Sequence, residues 1–230
     1  MKVTFIHHSC FLVETARFYY LFDYEKGQLP AMDGKKPILV LSSHGHFDHY
    51  NSEIFSLLTA AGMEQIRAIL SDDIPLPSDV DVLQVAPGQT YDLGFQQKLT
   101  TFRSTDLGVA FLLEDQGALL YHAGDLNDWV WQEESDSYNQ EMTRNYRTEI
   151  DALAQKLHHR QLDAAFVVLD PRQEKDYDRG LCYFLETVPA KQVYPMHCWG
   201  DPAIIETFLA EHPQYQFQIQ KIKTQKGRFL

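Results

Sequence analysis

The sequence predicts a single α/β domain with many strands in each half. Strand-like apolar runs and helix-like runs follow one another along all 230 residues, and this succession favours an α/β architecture. No stretch has the composition of a linker, and no short repeat or low-complexity segment interrupts the chain. The length suits one large domain with its own core, so we expect residues 1–230 to form one domain.

The first half is expected to be mostly strand, with one helix. Runs rich in β-branched, aromatic and other apolar residues, bounded by Gly, Pro and polar residues, predict the strands. They are expected at residues 3–6, 10–14, 17–22, 38–41, 66–70 and 80–85. Apolar residues at helical spacing predict a helix over residues 51–61, and Gly62 is a suitable terminator.

The second half alternates strands and helices. Strands are expected at residues 97–103, 108–113, 118–121, 164–169 and 192–195, with an alternating edge strand at 216–222. The segment 115–117 predicts a tight hairpin turn. Helices are expected at residues 140–158 and 181–188, and from Pro202, with Asp201 as N-cap, to a stop before Pro213.

Composition narrows the class of partner and the compartment. The net charge of −12 disfavours long nucleic acids, because affinity for phosphate comes mostly from Lys and Arg. The three cysteines are an odd number without CxxC spacing, which fits a reducing cytoplasm. No run of eighteen apolar residues predicts a membrane span. We therefore expect a soluble cytoplasmic protein with a small-molecule substrate and no membrane partner. The sequence leaves the oligomeric state open.

Four metal-binding side chains fall within six residues, directly after the predicted strand 38–41. They are His44, His46, Asp48 and His49. Two histidines two residues apart at the end of a strand can point to the same side. Imidazole nitrogens and carboxylate oxygens are ligands that Zn²⁺, Mn²⁺ and Fe²⁺ accept. This spacing predicts a metal site.

Further candidate ligands also follow predicted strands. Asp23 follows the strand 17–22, Asp125 follows the strand 118–121, and His197 follows the strand 192–195. Loops at strand ends commonly carry chemistry on a rigid base, so these side chains can converge on one rim of a sheet sandwich.

These motifs together resemble the metallo-β-lactamase superfamily, in particular the small metal-dependent hydrolases of the ascorbate-lactonase-like branch. The resemblance runs nearly end to end. Its carriers are His8-Ser9-Cys10-Phe11, Asp23, His44-Gly45-His46-Phe47-Asp48-His49, Gly124-Asp125 and His197. The HxHxDH motif is specific, whereas the others carry weight through their order and spacing.

The resemblance implies an α/β fold of the metallo-β-lactamase type: a four-layer αββα sandwich of two mixed β-sheets flanked by helices. It implies that metals are held at one edge between the sheets. His44 and His46 would bind the first metal, and Asp48, His49 and His197 the second. Asp125 would bridge the two, with a hydroxide between them. Asp48 and Asp125 are the implied catalytic residues, Asp48 orienting the nucleophile and Asp125 fixing the spacing of the ions.

One position departs from the family pattern. Members usually present a histidine in a loop before a glycine, and here Thr105 occupies that position, with Gly108 following. Asp106 is the nearest competent ligand, and we expect it to substitute. An oxygen-richer site would make Mn²⁺ or Fe²⁺ more competitive with Zn²⁺. If Asp106 does not substitute, the first site is weak and the enzyme works with one tightly bound metal.

Other polar and aromatic residues have competing interpretations. His8 is equally consistent with a place near the active site and with a hydrogen-bonded residue at the rim. For His7, His122 and Asp23 we favour structural or supporting roles. His158, His159 and His212 are expected near helix ends and need no function.

For Asp170 and Arg172 we favour a salt bridge, although both could reach the site. Trp129, Trp131 and Trp199 favour a pocket wall.

We expect a metal-dependent hydrolase that uses a metal-bound hydroxide on a small ester, lactone or similar substrate. The cofactor is a divalent metal, zinc or manganese with iron possible, at a dinuclear or mononuclear site. Hydrolysis of a small phosphodiester and a non-haem iron oxidoreductase are the alternatives. Diiron flavoprotein relatives usually carry Glu where His46 stands, which argues against the latter. A metal-stabilised binding module with a degenerate site is a third possibility.

Overall fold

The computed structural model describes residues 1–222. Its contacts divide these residues into two compact units. The first unit comprises residues 1–85 together with Ile222, and the second comprises residues 86–221. Each unit contains one six-stranded sheet. The expectation that residues 1–230 form one domain stays a prediction.

The first unit is a mixed sheet with one helix. Its strands are β1 (Lys2–His7), β2 (Cys10–Glu14), β3 (Tyr19–Phe22), β4 (Ile38–Ser42), β5 (Ile66–Ser71) and β6 (Asp81–Val85). They lie side by side in chain order. The first three pair antiparallel, and the pairs from β3 to β6 are parallel. Helix α1 (Glu53–Ala60) connects β4 to β5.

The core of the first unit forms between α1 and its sheet. Ile54, Phe55 and Leu58 of α1 are buried in one apolar cluster with residues of the sheet, among them Leu21 and Val40. Every residue of β3 and of β4 is buried. Continuous apolar runs are typical of parallel strands that are buried on both faces.

The second unit is also a mixed sheet. Its strands are β7 (Thr90–Gly94), β8 (Gln97–Arg103), β9 (Val109–Asp115), β10 (Ala118–His122), β11 (Ala164–Val168) and β12 (Val193–Met196). They are again adjacent in chain order, antiparallel from β7 to β10 and parallel from β10 to β12. Its helices are α2 (Asp136–Leu157), α3 (Arg179–Thr187) and α4 (Ala203–Glu211), with short 3₁₀ turns at Pro171–Asp176 and Pro213–Tyr215.

The helices of the second unit bury narrow apolar faces. In α2, Tyr146, Ile150, Leu153 and Leu157 are buried, spaced three or four residues apart as one helical face requires. The ring of Phe184 in α3 stacks on Tyr121 of β10, with 5.5 Å between centroids. Helix α3 is thereby fixed against the sheet. Within residues 1–222, we find no helix that combines the length and apolarity of a membrane span.

Three details differ from the sequence-based expectations. Strand β7 was not predicted. Helix α2 begins at Asp136 rather than residue 140, because the Ser135 hydroxyl accepts the Tyr138 N–H at 3.2 Å and caps the helix. The predicted edge strand at 216–222 is wrong. Only an isolated bridge between Ile219 and Val193 forms there, since turn hydrogen bonds to Tyr215 bend the backbone.

Strand direction gathers the candidate residues at one edge of each sheet. In the first unit, β3 and β4 are parallel, so Asp23 and His44 follow the same ends of neighbouring strands. In the second, β10, β11 and β12 are parallel and lead to Asp125, Asp170 and His197. The turn from β8 to β9 lies at this edge too, because Arg103 pairs with Val109.

Candidate metal centre

In the first unit, Asp23 anchors the loop that carries the HxHxDH motif. It is fully buried, with a left-handed φ of 44°. Its Oδ1 accepts the Ser43 backbone N–H at 2.7 Å, and its Oδ2 accepts the Ser43 hydroxyl at 2.7 Å. The same Oδ2 lies 2.8 Å from Nδ1 of His49. The carboxylate therefore orients the His49 ring so that its Nε2 points away from Asp23.

His44 and His46 face each other across the start of the loop. His44 is fully buried and lies 3.0 Å through its Nδ1 from the Ser43 hydroxyl. Its Nε2 lies 3.0 Å from Nδ1 of His46, and the two rings meet edge-on with centroids 4.6 Å apart. Two imidazole nitrogens this close can bind one cation.

Asp48 and His49 form a second group with His8. Their ligand atoms lie within 4.8 Å of one another. Nε2 of His8 is 3.4 Å from Oδ2 of Asp48, and the His8 and His49 rings are edge-on with centroids 5.7 Å apart. His8 was not among the predicted ligands. The signal that could have found it is the polar pair His7-His8, which interrupts an apolar strand.

A glycine sets the path of the loop between the histidines. The Gly45 N–H donates to Oδ2 of Asp73 at 2.7 Å. A Cβ at position 45 would stand 3.2 Å from that same oxygen, closer than most carbon contacts allow. The small residue lets the loop come close to Asp73, in the turn after β5, and so fixes the positions of His44 and His46.

In the second unit, Asp125 sits in a tight turn after β10. It is buried, and its backbone carbonyl accepts the Trp129 indole N–H at 2.9 Å. Gly124, at φ 54°, donates its N–H to Nδ1 of His122 at 3.1 Å. His122 is thus a supporting residue of the turn, consistent with the interpretation from sequence.

Thr105 and Asp106 divide two tasks in the loop after β8. The Thr105 hydroxyl donates to the Asn127 carbonyl at 2.6 Å and accepts the Asn127 N–H at 3.0 Å. Thr105 therefore ties this loop to the turn that carries Asp125. Asp106 is exposed, and it and Asp125 offer carboxylate oxygens within 4.8 Å of each other. The second unit thus supplies two neighbouring carboxylates.

His197 completes the set in the second unit. It follows β12 with a left-handed φ of 63° and is 2% exposed. Its Nδ1 lies 3.0 Å from Oδ2 of Asp170, and its Nε2 lies 3.4 Å from Oδ1 of Asp125. Asp170 is fully buried. The ring is held by a buried carboxylate on one side and faces Asp125 on the other.

Asp170 is held as an anion. Arg172 donates to it through its backbone N–H at 2.9 Å and through its guanidinium, and the Trp199 indole N–H donates at 3.2 Å. Burial alone would raise the pKa of Asp170, but the hydrogen bonds from His197 and Arg172 outweigh it and lower that pKa. The predicted salt bridge between Asp170 and Arg172 is confirmed, and sequence reasoning missed the contact to His197.

An open cavity of about 240 Å³ in the second unit is lined in part by Asp106 and Asp125. Two stacked indoles, Trp129 and Trp131, form part of its wall, with centroids 5.8 Å apart. The Arg172 guanidinium lies over Trp199 at 4.2 Å. The lining residues are Thr105, Asp106, Asp125, Trp129, Trp131, Tyr138, Met142 and Arg172. Aromatic walls and a few polar groups are typical of small-molecule sites.

The structure brings the predicted ligands together within each unit. His44, His46, Asp48 and His49 share one loop of the first unit, and Asp106, Asp125 and His197 lie at one sheet edge of the second. Each unit also contains a buried carboxylate that contacts Nδ1 of a histidine, Asp23 with His49 and Asp170 with His197. Such pairs fix the tautomer and orientation of metal-binding histidines.

Part of the chain is similar in sequence to a curated relative. A protein named UPF0173 metal-dependent hydrolase from Methylacidiphilum infernorum is 29% identical over 140 residues. The match covers 54% of this chain and 62% of that protein, so the chain spans less than two thirds of the relative's length.

Solved structures share the fold across nearly the whole chain. Igni18, described as a metallo hydrolase from Ignicoccus hospitalis, has a TM-score of 0.64 at 13% identity and covers 96% of this chain and 94% of its own. CmlA, a diiron β-hydroxylase from Streptomyces venezuelae, has a TM-score of 0.60 at 12% identity and covers 96% of this chain and 52% of its own. At these identities the likeness shows the fold.

The fold class expected from the sequence is confirmed: two mixed sheets with flanking helices, as in metallo-β-lactamase folds. The family model described as Beta-lactamase superfamily domain matches residues 2–140. This range includes the HxHxDH loop, Asp106 and Asp125. Because the match spans more than half of the chain, the chain belongs to the family of beta-lactamase superfamily domains.

Proposed function

We propose that this protein is a metal-dependent hydrolase. The observation that carries the proposal is the pair of buried carboxylate–histidine contacts, Asp23 with His49 and Asp170 with His197. Two imidazoles held by Nδ1 in loops that follow buried strands are an arrangement typical of metal ligands. Family membership and the metal-dependent hydrolase name of the relative support the same activity.

The donor set fits divalent cations. We propose that seven residues hold two ions: His44, His46, Asp48, His49, Asp106, Asp125 and His197. Imidazole with carboxylate suits zinc, and the neighbouring oxygens of Asp106 and Asp125 make manganese and iron competitive. The bound cations supply Lewis acidity and a water of lowered pKa. His8 lies close enough to Asp48 to support it.

The protein's own side chains orient the reactants. Asp48, whose Oδ2 lies 3.4 Å from Nε2 of His8, would help to hold a metal ion and orient the attacking water. Asp125, in the turn that Trp129 and Thr105 secure, would serve as a metal ligand. Asp170 and Asp23 keep their histidines in one tautomer throughout. Because these groups are buried or tied by hydrogen bonds, little reorganisation is needed as charge develops.

The substrate in this proposal is a small ester, lactone or similar molecule. A cavity of about 240 Å³ with an aromatic wall suits a small molecule better than a polymer. A small phosphodiester is compatible with the same cavity. A hydrolysis screen of lactones, thioesters and phosphodiesters separates these classes, and turnover of none of them would contradict the proposed activity.

Substitution in each unit tests the site. We expect His46→Ala and Asp125→Asn to abolish turnover while leaving the circular dichroism spectrum near that of the wild type. Each variant removes a metal-binding atom without removing core volume. Metal content is measured alongside activity, and Glu114→Gln, which removes a half-buried carboxylate paired with Arg160, serves as control. Full activity in either site variant would refute the assigned role.

A non-haem iron oxidoreductase is the second candidate, compatible with the fold shared with a diiron β-hydroxylase. Metal analysis of protein purified without a tag separates the candidates. Two equivalents of zinc or manganese favour hydrolysis, coloured iron favours oxidation, and protein that binds no metal at all contradicts both enzyme proposals.

A further inference from the structure

A second cluster of metal-binding side chains lies in the second unit, among residues that the proposed hydrolase does not use. Asp178 and Cys182 come from the start of α3, and His212 follows the end of α4. The Cys182 Sγ lies 3.7 Å from Nε2 of His212 and 3.7 Å from Oδ2 of Asp178. That carboxylate oxygen lies 2.8 Å from the same Nε2. Three different donor atoms thus converge on one point.

These separations are close to those of a zinc site. Tetrahedral zinc with bonds of about 2.0–2.3 Å places sulfur, nitrogen and oxygen donors about 3.3–3.6 Å apart. Both sulfur separations exceed that range by a small margin. The Asp178–His212 pair needs to open by about half an ångström, which side-chain rotation allows. The Asp178 and His212 side chains are 22% and 24% exposed, so a water can complete the coordination.

The local structure commits Asp178 to this cluster. Asp178 occupies the N-cap position of α3, where an aspartate usually accepts a helix N–H, yet it makes no side-chain cap hydrogen bond. Its carboxylate is directed at His212 and Cys182 instead. Next to it, the Tyr177 hydroxyl donates to Glu211, so neighbouring contacts already join the start of α3 to the end of α4.

The arrangement differs from a cysteine–histidine–aspartate relay. In such a relay the thiol and the carboxylate contact opposite nitrogens of the imidazole. Here Cys182 and Asp178 both face Nε2 of His212. Convergence on one ring nitrogen is the geometry expected when one ion takes the place of the shared proton.

We propose that Asp178, Cys182 and His212 form a structural zinc site that joins α3 to α4. Thiolate and imidazole with one carboxylate favour zinc over magnesium or calcium, which prefer oxygen ligands. The site is separate from the proposed hydrolytic centre, whose seven ligands include no cysteine. Success or failure of either proposal therefore leaves the other standing.

Cobalt substitution tests the site directly. Protein purified without a tag is stripped with a chelator and titrated with Co²⁺, which reports a thiolate ligand through a near-ultraviolet sulfur-to-cobalt charge-transfer band. We expect the wild type to show this band with the intensity of one thiolate-bound cobalt ion, Cys182→Ser to lose it, and the matched control Cys198→Ser to keep it. Absence of the band in the wild type, or its persistence in Cys182→Ser, would overturn the proposal.

Zinc content gives a second measurement that does not depend on cobalt. We expect Cys182→Ser and His212→Gln each to bind one equivalent of zinc fewer than the wild type. Circular dichroism confirms that each variant is folded, and two chemically different substitutions guard against a folding failure in one of them. Wild-type zinc content in both folded variants would refute the site.

Discussion

Asp23 and Asp170 act on the candidate centre through the histidines that they contact. Each is fully buried and lies within hydrogen-bond distance of an Nδ1, at 2.8 Å from His49 and 3.0 Å from His197. A carboxylate in this position stabilises the Nδ1–H tautomer and makes Nε2 a better ligand. At the residue scale, we expect these aspartates to set how strongly the histidines of the proposed site bind metal.

Replacing Asp170 should therefore weaken metal binding without removing a ligand. We expect Asp170→Asn to lower zinc affinity about 10- to 100-fold, because the neutral amide no longer polarises the His197 ring. Competition with a chromogenic chelator measures the affinity. The control is Glu114→Gln, which replaces a carboxylate of the same sheet that pairs with Arg160, and it should leave the zinc affinity unchanged. Equal affinity in Asp170→Asn and the wild type would show that the contact is only structural.

The ligand loop and the supporting role of Asp23 could be predicted from the sequence, whereas the contact between Asp170 and His197 could not. His44, His46, Asp48 and His49 stand together in the chain, so their spacing alone indicates a metal site. Asp170 lies 27 residues from His197 and two residues from Arg172, which made a salt bridge the simpler interpretation. Only the pairing of β11 with β12 reveals the second partner.

At the scale of elements, Gly180 lets α3 pack closely against the turn after β10. A Cβ at this position would meet Oδ1 of Asn127 at 1.9 Å. Asn127 is buried and donates to Gln173 at 2.7 Å, so its side chain has little room to move. The close approach also allows Tyr146 to donate to the Gly180 carbonyl at 2.7 Å.

Gly180→Ala should consequently destabilise the protein despite alanine's better helix propensity. We expect a loss of about 1–3 kcal/mol in the free energy of unfolding, the usual cost of overpacking. Urea denaturation measures it. Glu186→Ala, at an exposed position of the same helix, should change the free energy by less than about 0.5 kcal/mol. An unchanged or increased stability in Gly180→Ala would contradict the packing argument.

Asp163 joins the parallel part of the second sheet electrostatically. It accepts the Leu119 N–H at 2.9 Å and the Lys191 ammonium at 2.7 Å. Burial alone would raise the pKa of Asp163, but these two donors outweigh it and lower that pKa. A carboxylate with a lowered folded-state pKa contributes stability above its unfolded pKa of about 3.9, and loses it as pH falls through the folded pKa.

Asp163→Asn should therefore cost about 1 kcal/mol in unfolding free energy at pH 7, and less as the pH falls below about 4. Chemical denaturation of both proteins across this pH range measures the difference. Asp81→Asn, at an exposed carboxylate paired with Arg67, provides the comparison. A difference that stays constant down to pH 3 would exclude the ionised carboxylate as its source.

The sequence-based prediction of strands was wrong where the local residue pattern and the tertiary pairing disagree. Strand β7 contains Asp92 and ends on Gly94, residues with low strand propensity, and it forms because β8 pairs with it. Residues 216–222 alternate like a strand, yet Phe217 is 88% exposed and turn hydrogen bonds to Tyr215 bend the chain. Pairing partners, absent from a local pattern, decide both cases.

At the scale of the whole molecule, family membership and geometry support different parts of the site. The family match ends at residue 140, so it includes Asp125 but not His197. The assignment of His197 rests on its contact with Asp170 and on the sequence motif. Because the net charge is −12, we still expect that long nucleic acids do not bind.

Metal removal should lower the stability of the entire chain, because cations that bind only the folded state stabilise it by mass action. At a free concentration 100 times the dissociation constant, one site contributes about 2.7 kcal/mol. For a chain of this length that corresponds to a rise of about 5–10 °C in the unfolding midpoint. Calorimetry of chelator-treated protein, before and after addition of zinc, measures the shift.

Magnesium is the control for this measurement. It should not restore the unfolding midpoint, because nitrogen and sulfur donors discriminate against it. Identical midpoints with and without zinc would show that zinc is not bound tightly in the folded state, and the proposed structural zinc site would fail.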